Sequence, residues 1–178
     1  MNDGKFGQDG RHVDETAGEY GSFEEAVSRL FTPASLLLLA EASALAAKNE
    51  RDSDRLAVIL AHAACDIQTE HSLPELLLKN DVPHLCESVL KALGQQVSLH
   101  IDKTAGIFTA LSNDNPRKQS WWGDWKESLT RRNRVAHGGR LVPHAEVLET
   151  VEVCRKYVEH VRRVVDATPD RFAAGVRT

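Results

Sequence analysis

The sequence contains few cysteines. Cysteine occurs three times in 178 residues, at Cys65, Cys86 and Cys154, with wide spacing and no C-x-x-C pair. Small secreted scaffolds need more cysteines, at an even number and closer spacing. A disulfide framework is therefore excluded, and we expect three buried, reduced thiols in a cytoplasmic protein.

Long hydrophobic runs are also missing. The most apolar stretch, residues 36–47, is interrupted by Glu41 and is well short of the ~20 residues that a helix needs to cross a bilayer. Residues 1–21 are rich in Gly, Asp and Glu and contain no apolar segment, which excludes a signal peptide there. We expect no membrane partner and a flexible leader over residues 1–21.

Strand signals are scarce as well. β-Branched residues do not gather in alternating runs, and no Asn-Gly or Asp-Gly turn lies between such runs. The residues that are present, 42% hydrophobic and 27% charged, are typical of a globular domain with its own core. The sequence predicts an all-α fold, a single-domain helical bundle over residues 22–167, followed by a flexible tail over 168–178.

Capping patterns and apolar periodicity predict the helices of this bundle. A capping box begins the first helix at Ser22, Thr32-Pro33 begins the second, and another capping box predicts a bend of the third near Ser72. The predicted helices cover 22–31, 33–48, 55 onward, 82–93, 97–111, 120–137 and 143 onward. The last carries an apolar seam that packs on neighbouring helices or on a second subunit, formed by Val147, Val151, Cys154, Val158, Val161 and Val165.

Charge is unevenly distributed along the chain. The formal net charge is only -4, yet residues 117–140 contain seven basic and two acidic residues, a net of +5, which leaves -9 for the rest. A local positive surface attracts phosphates by Coulomb steering and counterion release. The alternative is a basic helix face that is merely solvated.

One short segment inside this basic region has the residues for phosphate chemistry. Asn133 and His137 are four residues apart and share a helical face, so the amide can orient the imidazole. The long guanidinium of Arg132 can reach the same face, and Gly138-Gly139 ends the helix there. The three side chains could converge on one phosphate-sized anion.

The segment 132–137 resembles the signature of the HEPN superfamily (higher eukaryotes and prokaryotes nucleotide-binding domain), an Arg followed by four to six residues and then His. The polar Asn133 after the Arg is typical of the family, and HEPN domains are small helical bundles with one more helix after this motif. Residues 60–66 look like the early helix of the family, in which an acidic residue faces the motif. The resemblance makes Asp66 that acid.

The resemblance implies a metal-independent endoribonuclease without a cofactor, often the toxin or effector of a prokaryotic defence or toxin-antitoxin system. In such an enzyme the RNA 2'-hydroxyl attacks the adjacent phosphorus while a base and an acid move protons and a cation stabilises the phosphorane. A single His cannot easily serve both sides of the displacement. We therefore expect a homodimer with two His137 side chains at one cleft, and an antitoxin or other regulatory protein as a further partner.

Each residue of the expected site has its own role. Arg132 and His137 carry the chemistry, Asn133 orients them and Asp66 supports them. RNA phosphates on either side are expected to bind the basic residues Arg131, Arg134, Arg140 and Lys126.

Other residues leave two interpretations open. Trp121, Trp122 and Trp125 either stack on unpaired bases or, as we favour, pack in the core or a dimer interface. His62, Asp66 and Glu70 share a helix face, for which a structural role is favoured over a metal site. The other histidines are expected at the surface or at helix caps, namely His71, His84, His100, His144 and His160.

Two further functions belong to different classes. The chain is alternatively a catalytically inactive HEPN-like module that binds nucleic acid or a protein. A third alternative is a helical interaction module with no link to RNA, in which the arginines only form salt bridges with acidic helices.

Overall fold

A computed structural model describes residues 32–94 and 97–171, and the regular structure in these two ranges is entirely helical. The prediction of an all-α fold is confirmed for this part of the chain. The predicted leader (1–21), the predicted first helix (22–31) and residues 172–178 of the predicted tail lie outside the described residues. The α-helices are α1 (Ala34–Ala47), α2 (Arg51–Lys79), α3 (Cys86–Leu93), α4 (Asp102–Ser112), α5 (Trp122–Gly138) and α6 (His144–Ala167).

Helix α1 packs on α2 through small and branched apolar residues. It begins one residue later than predicted, because Pro33 has an extended ψ of 137° and occupies the N-cap position itself. Its buried apolar side chains are Leu39, Ala42, Leu45 and Ala46. No helix in the described ranges is long and apolar enough to cross a bilayer.

Helix α2 runs for 29 residues without interruption, so no new helix begins near Ser72, and Pro74 lies inside it. The Ser72 hydroxyl donates to the carbonyl of Gln68 at 2.7 Å, within the helix, instead of capping a new helix start. Gln68 also accepts a hydrogen bond from Ser35 of α1 at 2.7 Å. Because this buried network and the buried Leu73, Leu76 and Leu77 hold the segment, the helix continues through Pro74.

The segment before α4 differs most from the sequence prediction. A helix was expected from residue 97, whereas α4 begins at Asp102 and residues 97–101 are not helical. The side chain of Arg117 donates to the carbonyls of Leu99 (3.2 Å) and His100 (2.7 Å) and pairs with the Asp102 carboxylate at 2.6 Å. These bonds satisfy the carbonyl groups without a helix, so residues 97–101 form a fixed, irregular segment.

The core lies between α1, α2, α5 and α6. All six seam residues of α6 are buried inside the chain. The seam therefore packs on neighbouring helices of the same chain and not on a second subunit. The ring of Trp125 is fully buried and stacks on Trp122 (4.8 Å between centroids) and Tyr157 (4.9 Å), so these tryptophan rings pack in the core. The Tyr157 hydroxyl shares a 2.5 Å hydrogen bond with Thr69 of α2.

Some predicted exposures need correction. Cys65 and Cys154 are buried as expected, but Cys86, at the start of α3, is only half-buried; all three are free thiols. His160 is buried and its Nε2 lies 2.8 Å from a carboxylate oxygen of Asp114, although a surface or capping position was expected. His144 does lie at the start of α6, where its Nδ1 contacts Asp54 at 3.0 Å.

Helix α5 ends where the sequence predicts, at the Gly138-Gly139 pair. The Gly139 N–H donates to the carbonyl of Val135 at 3.2 Å, and the left-handed φ of 57° at Gly139 lets the next N–H, of Arg140, donate to the carbonyl of Arg134 at 3.3 Å. Glycine adopts this conformation without the steric cost that a Cβ atom brings. The turn fixes where the helix stops, at Gly138, one residue after His137.

We expect Gly139→Ala to lower the free energy of unfolding by about 1 kcal/mol, because alanine is strained at positive φ. A Cβ at this position would meet only ordinary contact, 3.6 Å from Nη2 of Arg55, so the cost is in the backbone. Gly138→Ala is the matched control, since Gly138 lies within the helix, and it should not destabilise. Equal denaturant midpoints for the two variants would contradict this account.

Candidate active site

A pocket of about 450 Å³ lies between α2, the C-terminal half of α5 and residues 97–101. It contains all four residues that the sequence predicts as catalytic, Asp66, Arg132, Asn133 and His137, which come from two separate helices. Six further residues complete its lining: Glu70, Gly94, Val97, Ser98, His100 and Leu129.

Helix α5 supplies one wall of this pocket. Asn133 and His137 are four residues apart and lie about 40° from each other around the helix axis, while Arg132 lies about 100° from Asn133 and reaches the pocket with its long side chain. Arg132 is partly buried, while Asn133 and His137 are exposed to solvent. Nη1 of Arg132 donates to Oδ1 of Asn133 at 3.1 Å. The amide was expected to orient the imidazole of His137; in the structure its hydrogen bond is with the guanidinium instead, because the flexible Arg side chain reaches it.

Helix α2 supplies the opposing acid. Burial raises the pKa of Asp66, and this effect outweighs a hydrogen bond from Ser98 and the charges of His62, Arg132 and His100, which lower it. The charge of Arg132 therefore acts on Asp66 across the pocket, as expected for an acid that faces the motif. A carboxyl with a raised pKa in a pocket is typical of a functional site.

Two pocket residues were missed by the sequence analysis. Ser98 and His100 lie in the irregular segment 97–101, where a helix was predicted, and His100 was placed among the surface or capping histidines. Nδ1 of His100 lies 2.9 Å from the Ser98 hydroxyl. The available signal was the Ser-x-His spacing just before the acidic residue that begins α4.

His62 lies beneath the pocket and not in its lining. It is 2% exposed, and its Nε2 is 3.1 Å from the hydroxyl of Ser128 on α5. This bond directs the ring of His62 to Ser128, which fits the structural role favoured over a metal site. In the part of the chain that the structure describes, no group of three or more His, Cys, Asp or Glu residues is placed to hold a metal ion.

The basic residues expected to bind RNA are spread around α5. Arg131 lies outside the pocket and pairs with Glu146 (3.0 Å) and Glu149 (3.1 Å) of α6. Arg134 is exposed and lines a different groove of α5, beside Arg131.

The other two residues of this expected RNA-binding set, Lys126 and Arg140, are exposed. Lys126 is exposed seven residues before Asn133, on nearly the same face and ~10 Å along the axis. Arg140 is exposed just beyond the end of α5. Only Arg132, of the seven basic residues between 117 and 140, lines the pocket.

The pocket combines a planar guanidinium, two imidazoles and a carboxyl group of raised pKa in a volume suited to a small ligand. Such groups can hold an anion and move protons to and from it. No protein-family model, curated protein or solved structure matches the chain. The functional interpretation therefore depends on the residues and on the pocket that they form.

We expect Asp66→Asn to make the protein more stable than the wild type at pH 7. A raised pKa means that the fold favours the neutral carboxyl, so the wild type loses stability as pH rises from about 4 through the raised value. The amide carries no such penalty, and its advantage should shrink as the pH falls to 4. Thermal unfolding at several pH values measures this difference.

The matched control is Asp166→Asn, at an exposed position near the end of α6. Its stability difference from the wild type should change little over the same pH range. A constant offset for Asp66→Asn, or a lower stability than the wild type at pH 7, would contradict the assignment of Asp66 as a desolvated acid.

Proposed function

We propose that this chain is a metal-independent endoribonuclease of the HEPN type. One observation carries the proposal: Asp66, Arg132, Asn133 and His137, selected from the sequence, line the same pocket. Asp66 and Arg132 are 66 positions apart in the chain, so their meeting depends on how α2 and α5 pack and not on local sequence.

The chemistry assigns a task to each group. Arg132 binds the non-bridging oxygens of the scissile phosphate through its planar fork and stabilises the charge of the phosphorane. His137 transfers a proton to or from the reacting oxygens, since an imidazole can both accept and donate a proton. Asn133 holds the guanidinium by the 3.1 Å hydrogen bond, and the charges of Asp66 and Arg132 attract each other within the pocket.

The arrangement of helices supports the same proposal. The Arg-to-His segment ends α5, and α6 follows it as the one further helix that the resemblance implies. The end of α5 leaves His137 exposed, so RNA or a second copy of the chain can reach it. We place the enzyme, on the resemblance, among toxins or effectors of prokaryotic defence or toxin-antitoxin systems, with an antitoxin or regulatory protein as partner.

A homodimer remains part of the proposal, but its contact surface differs from the two that the sequence suggested. The seam of α6 and the ring of Trp125 are buried within the chain. A second copy would instead approach at the exposed end of α5, near Asn133 and His137.

Purified protein should cleave single-stranded RNA in excess EDTA. We expect His137→Ala to lower the rate about 10²–10⁴-fold, through loss of proton transfer. Arg132→Ala should lower it about 10²–10³-fold, and Arg132→Lys should recover only part of this loss, because an ammonium lacks the guanidinium fork. Initial rates on a labelled RNA measure these effects.

The controls are His84→Ala and Arg163→Ala, at exposed positions outside the pocket, which should cleave like the wild type. Cleavage that persists in His137→Ala, or that needs a divalent metal, would overturn the proposal. Salt-sensitive retention of RNA without cleavage by the wild type would favour the binding module instead.

A further inference from the structure

We propose that His100 is the second proton-transfer group of this pocket, so that one chain holds both histidines that the cleavage requires. This inference rests on the proposed ribonuclease function and deepens it. It replaces the expectation that the second His comes from the His137 of another copy.

The position of His100 supports this assignment. His100 and His137 line the same pocket, although they come from the segment 97–101 and from the last turn of α5. Asp66 and Arg132 line this pocket too, and the charges of His100 and Arg132 both act on the carboxyl of Asp66. Both imidazoles therefore line, within one chain, the pocket in which Arg132 would hold an anion.

Contacts with neighbouring residues hold His100 in place. Its carbonyl accepts a 2.7 Å hydrogen bond from Arg117, its Nδ1 lies 2.9 Å from the Ser98 hydroxyl, and its ring is 6.4 Å from that of Trp125. The ring is nevertheless exposed to solvent. Because Nδ1 contacts Ser98, Nε2 is the ring nitrogen that meets a ligand. Fixed attachment together with an open reactive nitrogen is what a proton-transfer group needs.

The reaction balances with these two groups alone. One imidazole accepts the proton of the RNA 2'-hydroxyl while the 2'-oxygen forms a bond to phosphorus. The bond from phosphorus to the 5'-oxygen breaks, and the second imidazole, as imidazolium, gives that oxygen its proton. The products are a 2',3'-cyclic phosphate and a 5'-hydroxyl, and neither water nor a metal is consumed.

The first test compares His100→Ala, His137→Ala and the double variant on RNA in EDTA, with His84→Ala as control. Each single variant should lose about 10²–10⁴ in rate, and the double variant should be little worse than the weaker single one, because the two groups act as a unit. If His100→Ala cleaves like His84→Ala while His137→Ala is inactive, this inference fails and the ribonuclease proposal stands. If the wild type does not cleave RNA, both fail.

Mixing the two single variants tests whether both histidines belong to one chain. When each pocket takes both from its own chain, a mixture of His100→Ala and His137→Ala stays inactive, since every pocket lacks one group. Recovery of a substantial fraction of wild-type activity on mixing would show a site shared between copies and would overturn the single-chain assignment.

A modified substrate separates proton transfer from a merely structural role. If sulfur replaces the 5'-bridging oxygen, the leaving thiolate needs no proton, so loss of the acid no longer matters. We expect this RNA to restore cleavage by only one of the two single variants. Failure to restore either, or restoration of both, would contradict the division of acid and base between His100 and His137.

Discussion

The burial of Trp125 is the constraint on which the candidate site depends. Its indole is fully buried between Trp122 and Tyr157, and this fixes the rotation of α5 about its own axis. Arg132 follows seven residues later, close to two helical turns, and therefore faces the same side as the indole. The guanidinium is turned toward Asp66 of α2 by an apolar contact that takes no part in the chemistry. The same rotation turns Arg131 and Arg134 away from the pocket.

The positive charge of residues 117–140 is partly neutralised within the chain. The sequence suggests a broad positive surface over residues 117–140, but Arg117 and Arg131 are engaged by carboxylates of the chain itself. Arg132 shares the pocket lining with two acidic residues, Asp66 and Glu70. Recognition of a phosphate would thus come from the direction of one guanidinium fork and from the neighbouring imidazoles more than from net charge, with Lys126 and Arg140 available along the RNA chain.

Much of the fold follows from local sequence. The all-α class, the seam of α6 and the stop at Gly139 depend on periodicity and on one glycine conformation, both of which are readable along the chain. Arg132, Asn133 and His137 were singled out by their types and spacing and Asp66 by the resemblance, and all four line one pocket. The continuity of α2 was not readable in this way, since a buried network with α1 overrides the local signal at Ser72 and Pro74.

Ser98 and His100 were also not predictable as site residues, because a long-range contact places them in the pocket. Ser98 and His100 line the pocket because Arg117, well beyond them in the chain, bonds the carbonyls of Leu99 and His100 and leaves that segment irregular. Periodicity cannot reveal a bond between segments so far apart. The ion pairs of Arg131 with α6 are likewise long-range, so the sequence presents Arg131 as free to bind RNA.

The ends of the RNA fragments test the central claim most directly. Attack by the 2'-hydroxyl at a site without metal leaves a 2',3'-cyclic phosphate on one fragment and a 5'-hydroxyl on the other. We predict these ends, formed by the wild-type chain in EDTA and identified by mass spectrometry. Fragments with a 3'-hydroxyl and a 5'-phosphate, or RNA that remains intact, would contradict the account.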